Sequence, residues 1–326
     1  MPPRRPSRVR SGIRGTVLVA AAVLLLLPDL LGLDGRLPFV LLIALRPLFT
    51  AVVAVLAVVG IVRSLRRGHG LAARVAVLAV AVVSAAVLAP RAFGDGDAPV
   101  PAGSRPLTLL SFNVYDGAAD VPTLAALVRE RRPDVVVLPE AAERYRGLIT
   151  GAVPEMGYRS WVAAAPGVPD IEGVVVLASP GLGNLRARTV TGSLDPWLEI
   201  TGGTLGPVRL LGVHTAAPTP DKIASWPREL ASLARWCSSG GPAIVAGDFN
   251  ATLDHSAFRD GTRGCRDTGA ATGSGLVGTW DARTPRVTGA QIDHVLTAGG
   301  PTARDLEIID VPGSDHRALL TTVDLP

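Results

Sequence analysis

Lysine is almost absent from this chain: Lys222 is the only one in 326 residues. That is a compositional bias with no mechanism of its own. Cysteine is nearly as scarce. Cys237 and Cys265 are the only two, which excludes a thiolate cluster for zinc. No internal repeat is present, so a repeat array is excluded. Charge is also missing where it would matter most for a polyanion. Residues 1–91 carry 12 Arg against Asp29 and Asp34, a net +10, whereas residues 92–326 carry 20 Lys+Arg against 26 Asp+Glu, a net −6. The overall +4 therefore belongs to the N-terminal part, and the rest is an acidic domain. Such a surface repels nucleic acid unless its basic groups are clustered, so tight non-specific DNA binding is disfavoured.

The first ninety residues hold long apolar runs at about 16–33, 38–62 and 71–89. Each is near the ~20 residues that span a bilayer. A cleaved signal peptide would explain only the first, and three uniformly apolar helices in a row are unusual in a soluble core. The expectation is a membrane segment, 1–91, with three transmembrane helices. Arg4, Arg5, Arg8, Arg10 and Arg14 precede the first run, and Arg63, Arg66, Arg67 and Arg74 flank the second connection, while the first connection has only Asp34 and Arg36. The positive-inside rule puts the N-terminus and second connection in the cytoplasm and the acidic domain outside. Arg46 falls inside the second run, where an unpaired charge is costly; the short first connection lets it reach Asp29. A transport role for these two charges is the weaker alternative to snorkelling and pairing. Residues 92–106, rich in Gly, Pro and Asp, read as a linker.

From 107 onward, short apolar runs end in polar residues. Leu107–Asn113 is a strand candidate. Asp120 caps a helix over Pro122–Arg132, and Pro133 breaks it. Val135–Leu138 is a buried strand leading to Glu140, Gly173–Leu177 and Val208–Val213 are further strands, and the latter ends at His214. Pro227–Cys237 is an amphipathic helix, followed by the strand into Asp248. Ile292–Leu296 and Ala318–Val323 complete the set. Many strands with few helices between them point to packed β-sheets flanked by helices.

Polar residues thus recur at strand ends: Asn113, Glu140, His214, Asp248, Asn250, Asp293, Asp315 and His316. One such residue is usually a turn former or a cap; eight at corresponding positions point to a site. Carboxylate and amide oxygens suit a hard cation such as Mg²⁺, with Mn²⁺ as a substitute, and neighbouring histidines exchange protons near neutral pH. The combination suits metal-assisted attack on a phosphate ester.

The pieces Leu110-Ser-Phe-Asn113-Val, Pro133-Asp-Val-Val-Val-Leu-Pro-Glu140, Gly173-Val-Val-Val-Leu-Ala-Ser, Gly212-Val-His214-Thr, Gly247-Asp248-Phe-Asn250, Ile292-Asp293-His-Val and Ser314-Asp315-His316 stand in one order. In this the chain resembles the endonuclease/exonuclease/phosphatase superfamily, the metal-dependent group containing DNase I-like nucleases, apurinic endonucleases, inositol-phosphate phosphatases and sphingomyelinases. The resemblance covers about 107–323. It implies an α/β fold, a four-layer α/β/β/α sandwich, with a catalytic domain at 107–326. It implies Glu140 as main metal ligand with Asn113 nearby, and Asp315 assisting at the metal. Asp248 would orient or deprotonate the attacking water, and Asn250 would bind phosphoryl oxygens. His316 would pair with Asp293, and His214 would contact phosphate or protonate the leaving oxygen. Pro139 and Ala178-Ser179-Pro180 depart from the pattern; the latter lacks a basic residue that would meet a phosphate backbone.

Other residues carry blander readings. Tyr115 and Asp116 are turn residues, His294 faces away from Asp293, His255 starts a helix, His69 lies in the cytoplasmic connection, and Trp280 reads as core, with a substrate-facing position as the alternative. Glu172 either orients His214 or is a solvated turn residue. The two cysteines lie in the domain assigned to the oxidising side, where disulfides persist; a Cys237–Cys265 bond would enclose Asp248 and Asn250, against the alternative of two separate buried thiols. The leading expectation is a membrane-anchored extracytoplasmic phosphoesterase acting on a phosphate-ester substrate. The alternatives are an outward-facing nuclease, against which the acidic domain weighs, and a catalytically silent binding domain, against which the full set of acid–base groups weighs. Oligomeric state is not legible.

Overall fold

The computed structural model describes residues 8–67, 70–95, 103–165, 167–238 and 241–326. The chain divides into two units, residues 1–89 with Asp254–Ser256, and residues 90–253 with 257–326.

The N-terminal unit is helical: α1 (Arg8–Leu26), α2 (Phe39–Ala44), α3 (Arg46–Arg67) and the start of α4 (Leu71–Phe93). Among the described residues, two of the three expected spans are helices long and apolar enough to cross a membrane, within α3 and α4, and the first run holds a shorter apolar helix, Gly12–Leu26. The first run does not stay helical to residue 33 because Pro28 opens a separate 3₁₀ turn, Pro28–Leu31, which Gly32 ends in the left-handed conformation. The second run splits at Leu45, and its long helix starts at Arg46, just ahead of Pro47, a residue suited to a helix's first turn. Arg46 therefore sits at a helix start rather than mid-span. It is fully buried and paired with Asp29, as expected, and also with Asp254 at 2.8 Å, while its Nε donates to the Leu26 carbonyl. A buried guanidinium needs such a full set of acceptors. Of the expected linker, residues 96–102 lie outside the described residues, as does His69; its flanks are the end of α4 and the first strand.

The second unit continues with β1 (Arg105–Ser111), α5 (Val121–Arg131), β2 (Val135–Pro139), α6 (Glu143–Ala152), β3 (Arg159–Ala163), β4 (Val174–Ala178), β5 (Leu185–Val190), β6 (Trp197–Gly202), β7 (Arg209–His214), α7 (Trp226–Ala231), α8 (Ala234–Cys237), β8 (Ala243–Asp248), α9 (Ser256–Gly261), β9 (Arg266–Asp267), α10 (Thr268–Ala271), β10 (Asp293–Ala298), β11 (Thr302–Ala303), β12 (Glu307–Asp310) and β13 (Arg317–Leu325). One sheet runs β11-β13-β1-β2-β4-β3, with β12 also on β13, and the other runs β5-β6-β7-β8-β10-β9. Alternate side chains of the two sheets, among them Leu109, Val137, Val176, Leu210, Ile244 and Val295, close one core between them. The other faces of β1, β2 and β4 pack under α5 and α6 through Leu124, Val128, Tyr145 and Ile149. Asp120 caps α5 as expected, accepting from Thr123 N at 2.9 Å. On the far sheet, Trp236 of α8 meets Trp197 edge-to-face. The layers are helix, sheet, sheet, helix. The expected helix 227–237 is two short ones, because a tighter turn at Ser232 intervenes and its hydroxyl bonds back to the Glu229 carbonyl.

Two parallel pairs, β1–β2 and β7–β8, place four strand ends at one edge of the sandwich. The antiparallel neighbours β13 and β10 begin where those strands end: Asp293 pairs with Asp248, and Leu319 with Ser111. This topology gathers residues from far apart in sequence along a single edge. The Cys237–Cys265 disulfide is present, spanning 28 residues.

Candidate active site

Each site residue follows directly from a strand end. Asn113 lies two residues past β1, Glu140 one past β2, His214 and Asp248 end β7 and β8, Asp293 opens β10 and His316 precedes β13. Gly247 permits the closest approach. Its φ is +146° and a Cβ there would meet the Val213 carbonyl oxygen at 1.9 Å, so only glycine lets β7 and β8 bring His214 and Asp248 side by side.

Asn113 bridges the acids: its Nδ2 donates to Glu140 Oε1 and Asp248 Oδ2, both at 2.9 Å, while its oxygen accepts from Tyr115 N. The amide nitrogen, not the oxygen, thus faces the acids. Glu140 Oε2 accepts from Asp116 N at 2.7 Å, and Asp248 Oδ1 from Asn250 N at 2.8 Å. Asn250 Nδ2 donates to the Thr215 carbonyl. His316 Nδ1 lies 2.9 Å from Asp293 Oδ2, and its Nε2 lies 3.7 Å from Asp248 Oδ2 and 3.9 Å from Asp315 Oδ1. Ser314 Oγ ties this turn down, donating to Asn113 O and accepting from His316 N. His214 enters from the other side, with Nε2 3.6 Å from Glu140 Oε1 and 3.9 Å from Asp248 Oδ2. The structure therefore brings together Asn113, Glu140, His214, Asp248, Asn250, Asp293, Asp315 and His316.

Burial sets the electrostatics. It pushes the Glu140 carboxyl up, and the Asp248 carboxyl up to about 7 despite the His316 charge. Burial would lower His316, but the Asp293 and Asp248 carboxylates outweigh it and raise the imidazole to about 10. His214, buried with less compensation from Asp195, is pushed down to about 4. One histidine is held charged and the other neutral.

The residues fit a divalent cation. Single side-chain atoms of Glu140, Asp248 and His316 all lie within 4.8 Å of one another, and the imidazole would serve as a ligand only without its Nε2 proton. Asp315 Oδ1 is buried with no hydrogen-bond partner among the described residues, while Oδ2 accepts from Trp280 Nε1 at 3.2 Å. Several carboxylate oxygens converging on one point suit a hard ion. Asn113 Nδ2 braces the Glu140 and Asp248 carboxylates at the same place.

Trp280 is corrected from core to rim: it is 39% exposed and bonded to Asp315. Its preceding Gly-Thr and following Asp gave no hydrophobic period that could place it. His294 does face away, wedged between Asp267 at 2.7 Å and the Ala251 carbonyl at 3.0 Å. Sequence reasoning missed Asp195, 3.9 Å from His214 Nδ1, and Glu229, which accepts from Leu194 N and Ala216 N. Asp195 sits in Gly192-Ser-Leu-Asp-Pro, indistinguishable from an ordinary turn.

A two-sheet sandwich with an acid and histidine cluster on one edge defines the DNase I-like class. The chain belongs to the Endonuclease/Exonuclease/phosphatase family, matched over residues 110–316. Members of this family are hydrolases acting on phosphoesters. Among solved structures the chain is similar to an endonuclease/exonuclease/phosphatase from Beutenbergia cavernae, at 19% identity over 68% of this chain and 72% of that one, with a TM-score of 0.53. It is also similar to D. rerio TDP2 humanized by 14 mutations, at 18% identity over 67% and 98%, TM-score 0.54. A third is the family member from Bacteroides vulgatus, at 14% over 68% and 100%, TM-score 0.52. These likenesses show the fold. No curated protein matches the chain.

Proposed function

We propose that this chain is a membrane-anchored, divalent-metal-dependent phosphoesterase whose catalytic unit works outside the cytoplasm. The observation that carries the chemistry is Asp248, buried between Asn113 and the two histidines, beside Glu140. Glu140 and Asp315 would hold Mg²⁺ or Mn²⁺, which would supply charge neutralisation on the phosphoryl oxygens. Asp248, held by Asn113 Nδ2 and Asn250 N, orients the attacking water and accepts its proton. His316, kept cationic by Asp293, binds a phosphoryl oxygen in line with that attack. Asn250 lines the same end of β8 and contributes a phosphate contact. Burial disfavours the charged form of His214; the negative charge of a bound phosphate favours it, and the protonated ring serves the leaving oxygen.

The anchoring rests on α3 and α4 and on the arginines. Arg63, Arg66, Arg67 and Arg74 favour a cytoplasmic α3–α4 connection, with α4 leading outward. The five arginines before and in α1 call for a third crossing. The apolar part of α1 supplies about 22 Å of it, and the Pro28–Leu31 turn extends the path.

The full chain in detergent micelles, with Mg²⁺ or Mn²⁺, should release phosphate or alcohol from p-nitrophenyl phosphate, bis-p-nitrophenyl phosphate or a phospholipid panel, and should act poorly on plasmid DNA. Turnover confined to DNA would replace this reading with the nuclease; no turnover in any arm, with metal bound, would leave a silent binding domain.

A further inference from the structure

The two histidines of the site are not equally supported. His316 has its carboxylate at hydrogen-bond distance. His214 Nδ1 is buried and has no hydrogen-bond partner among the described residues. A buried ring nitrogen without a partner costs free energy, so its surroundings are informative. Asp195 Oδ2 lies 3.9 Å from it, on the far side of the ring from Glu140 and Asp248.

Asp195 does not arrive there by accident of a loose loop. It lies in the connection between β5 and β6, and the connection is fastened to the end of β7 on both sides. Glu229 of α7, itself buried, accepts from Leu194 N at 3.2 Å and from Ala216 N at 2.9 Å. It thereby ties the residue before Asp195 to the residue two past His214. Trp197, two residues after Asp195, donates its indole N–H to the His214 carbonyl at 2.9 Å. Desolvating a carboxylate to hold two backbone amides is expensive, and the result is a carboxylate facing an unpaired imidazole nitrogen. Glu172, the residue the sequence offered for this task, has no hydrogen bond to His214 among the described contacts; it is a charge near Asp195, as are Lys222 and Glu140.

We propose that Asp195 is the positioning residue for His214: on substrate binding its carboxylate closes the remaining gap to Nδ1–H and so presents Nε2 to the oxygen that leaves the phosphate. This rests on the phosphoesterase reading above. In the step, water forms the new P–O bond and gives a proton to Asp248. The P–O bond to the leaving group breaks, and its electron pair stays on the leaving oxygen. That oxygen takes the proton of His214 Nε2. The ring ends neutral with its other proton on Nδ1, and Asp195 remains ionised throughout. Asp195 touches no reacting atom.

The test separates proton delivery from mere structure. Full-length protein in micelles with Mg²⁺ is assayed on phenyl and p-nitrophenyl phosphates, each as monoester and as methyl diester. p-Nitrophenolate leaves without a proton; phenolate leaves far better with one. Asp195→Asn and Asp195→Ser should each lose about tenfold or more in kcat on the phenyl ester, with KM little changed and with a much smaller loss on the p-nitrophenyl ester. Asp195→Glu should recover part of the phenyl-ester activity. Equal losses on both esters, or none, overturn the assignment while leaving the phosphoesterase intact. Wild-type protein that hydrolyses neither ester in either form overturns the phosphoesterase reading itself, and this assignment with it.

Discussion

His316 Nδ1 stands 2.9 Å from Asp293 Oδ2 while Nε2 of the same ring lies 3.7 Å from Asp248 Oδ2. One imidazole therefore links a carboxylate on β10 to the carboxylate that ends β8. Asp293→Asn and His316→Gln should each reduce kcat/KM by about 10²–10⁴. The double variant should lose little more, as groups acting as a unit do. A fully additive double-mutant cycle would break the pairing.

Glu140→Gln should abolish turnover and weaken Mn²⁺ binding measured by calorimetry, without shifting the melting temperature downward, since burial already opposes the Glu140 charge. Undiminished turnover in excess EDTA would sink the metal requirement.

His294 supplies a pH prediction away from the reacting groups. Burial would lower its pKa, but Asp267 and the Ala251 carbonyl raise it above the ordinary histidine value. A raised pKa contributes stability that is fully present below the unfolded value of about 6.5 and is lost as pH rises through the folded one. The melting temperature of wild type should therefore exceed that of His294→Gln most at about pH 6 and converge toward it on the alkaline side. A gap that widens with pH would contradict the charged ring.

The Cys237–Cys265 bond closes a loop over 28 residues. In the chain-entropy model such a loop stabilises by about 3–4 kcal/mol. Reduction, or the double Ser variant, should lower the melting temperature by several degrees. Mass spectrometry of protein purified without reductant and alkylated should find neither cysteine labelled. Two labelled cysteines would remove both the bond and part of the case for an outside location.

Protease added to intact spheroplasts should remove the catalytic unit. Protection until lysis would reverse the proposed topology, which rests on the arginines of the N-terminus and of the α3–α4 connection.

The parts of this protein that were legible in its sequence are those where an apolar run ends in a chemical group. Val135–Leu138 into Glu140 and Ala243–Ala246 into Asp248 announce both a buried strand and a site residue. The edge strands gave no such signal. β5 is Leu-Arg-Ala-Arg-Thr-Val with four exposed positions, and β3 is only partly buried, so neither shows the alternation of a half-buried strand. Asp195 and Glu229 were invisible for another reason: their roles come from contacts across 19 and 13–35 residues of chain, and nothing local distinguishes them from turn and helix-surface acids. The N-terminal helical unit was legible in composition but not in segmentation, where Pro28 and Pro47 decided the breaks.

Glu140 and Asn250 hold left-handed backbone, with φ of +56° and +46°, although neither is glycine. An L-residue in that region costs about 1–2 kcal/mol. A procedure that redesigned this chain for thermal stability alone would be drawn to glycine at both positions, and each gain in melting temperature would delete a carboxylate or an amide from the reaction centre. Heat tolerance and turnover are here in direct competition at single codons, so a library selected only for surviving heat should be enriched in well-folded, inert protein.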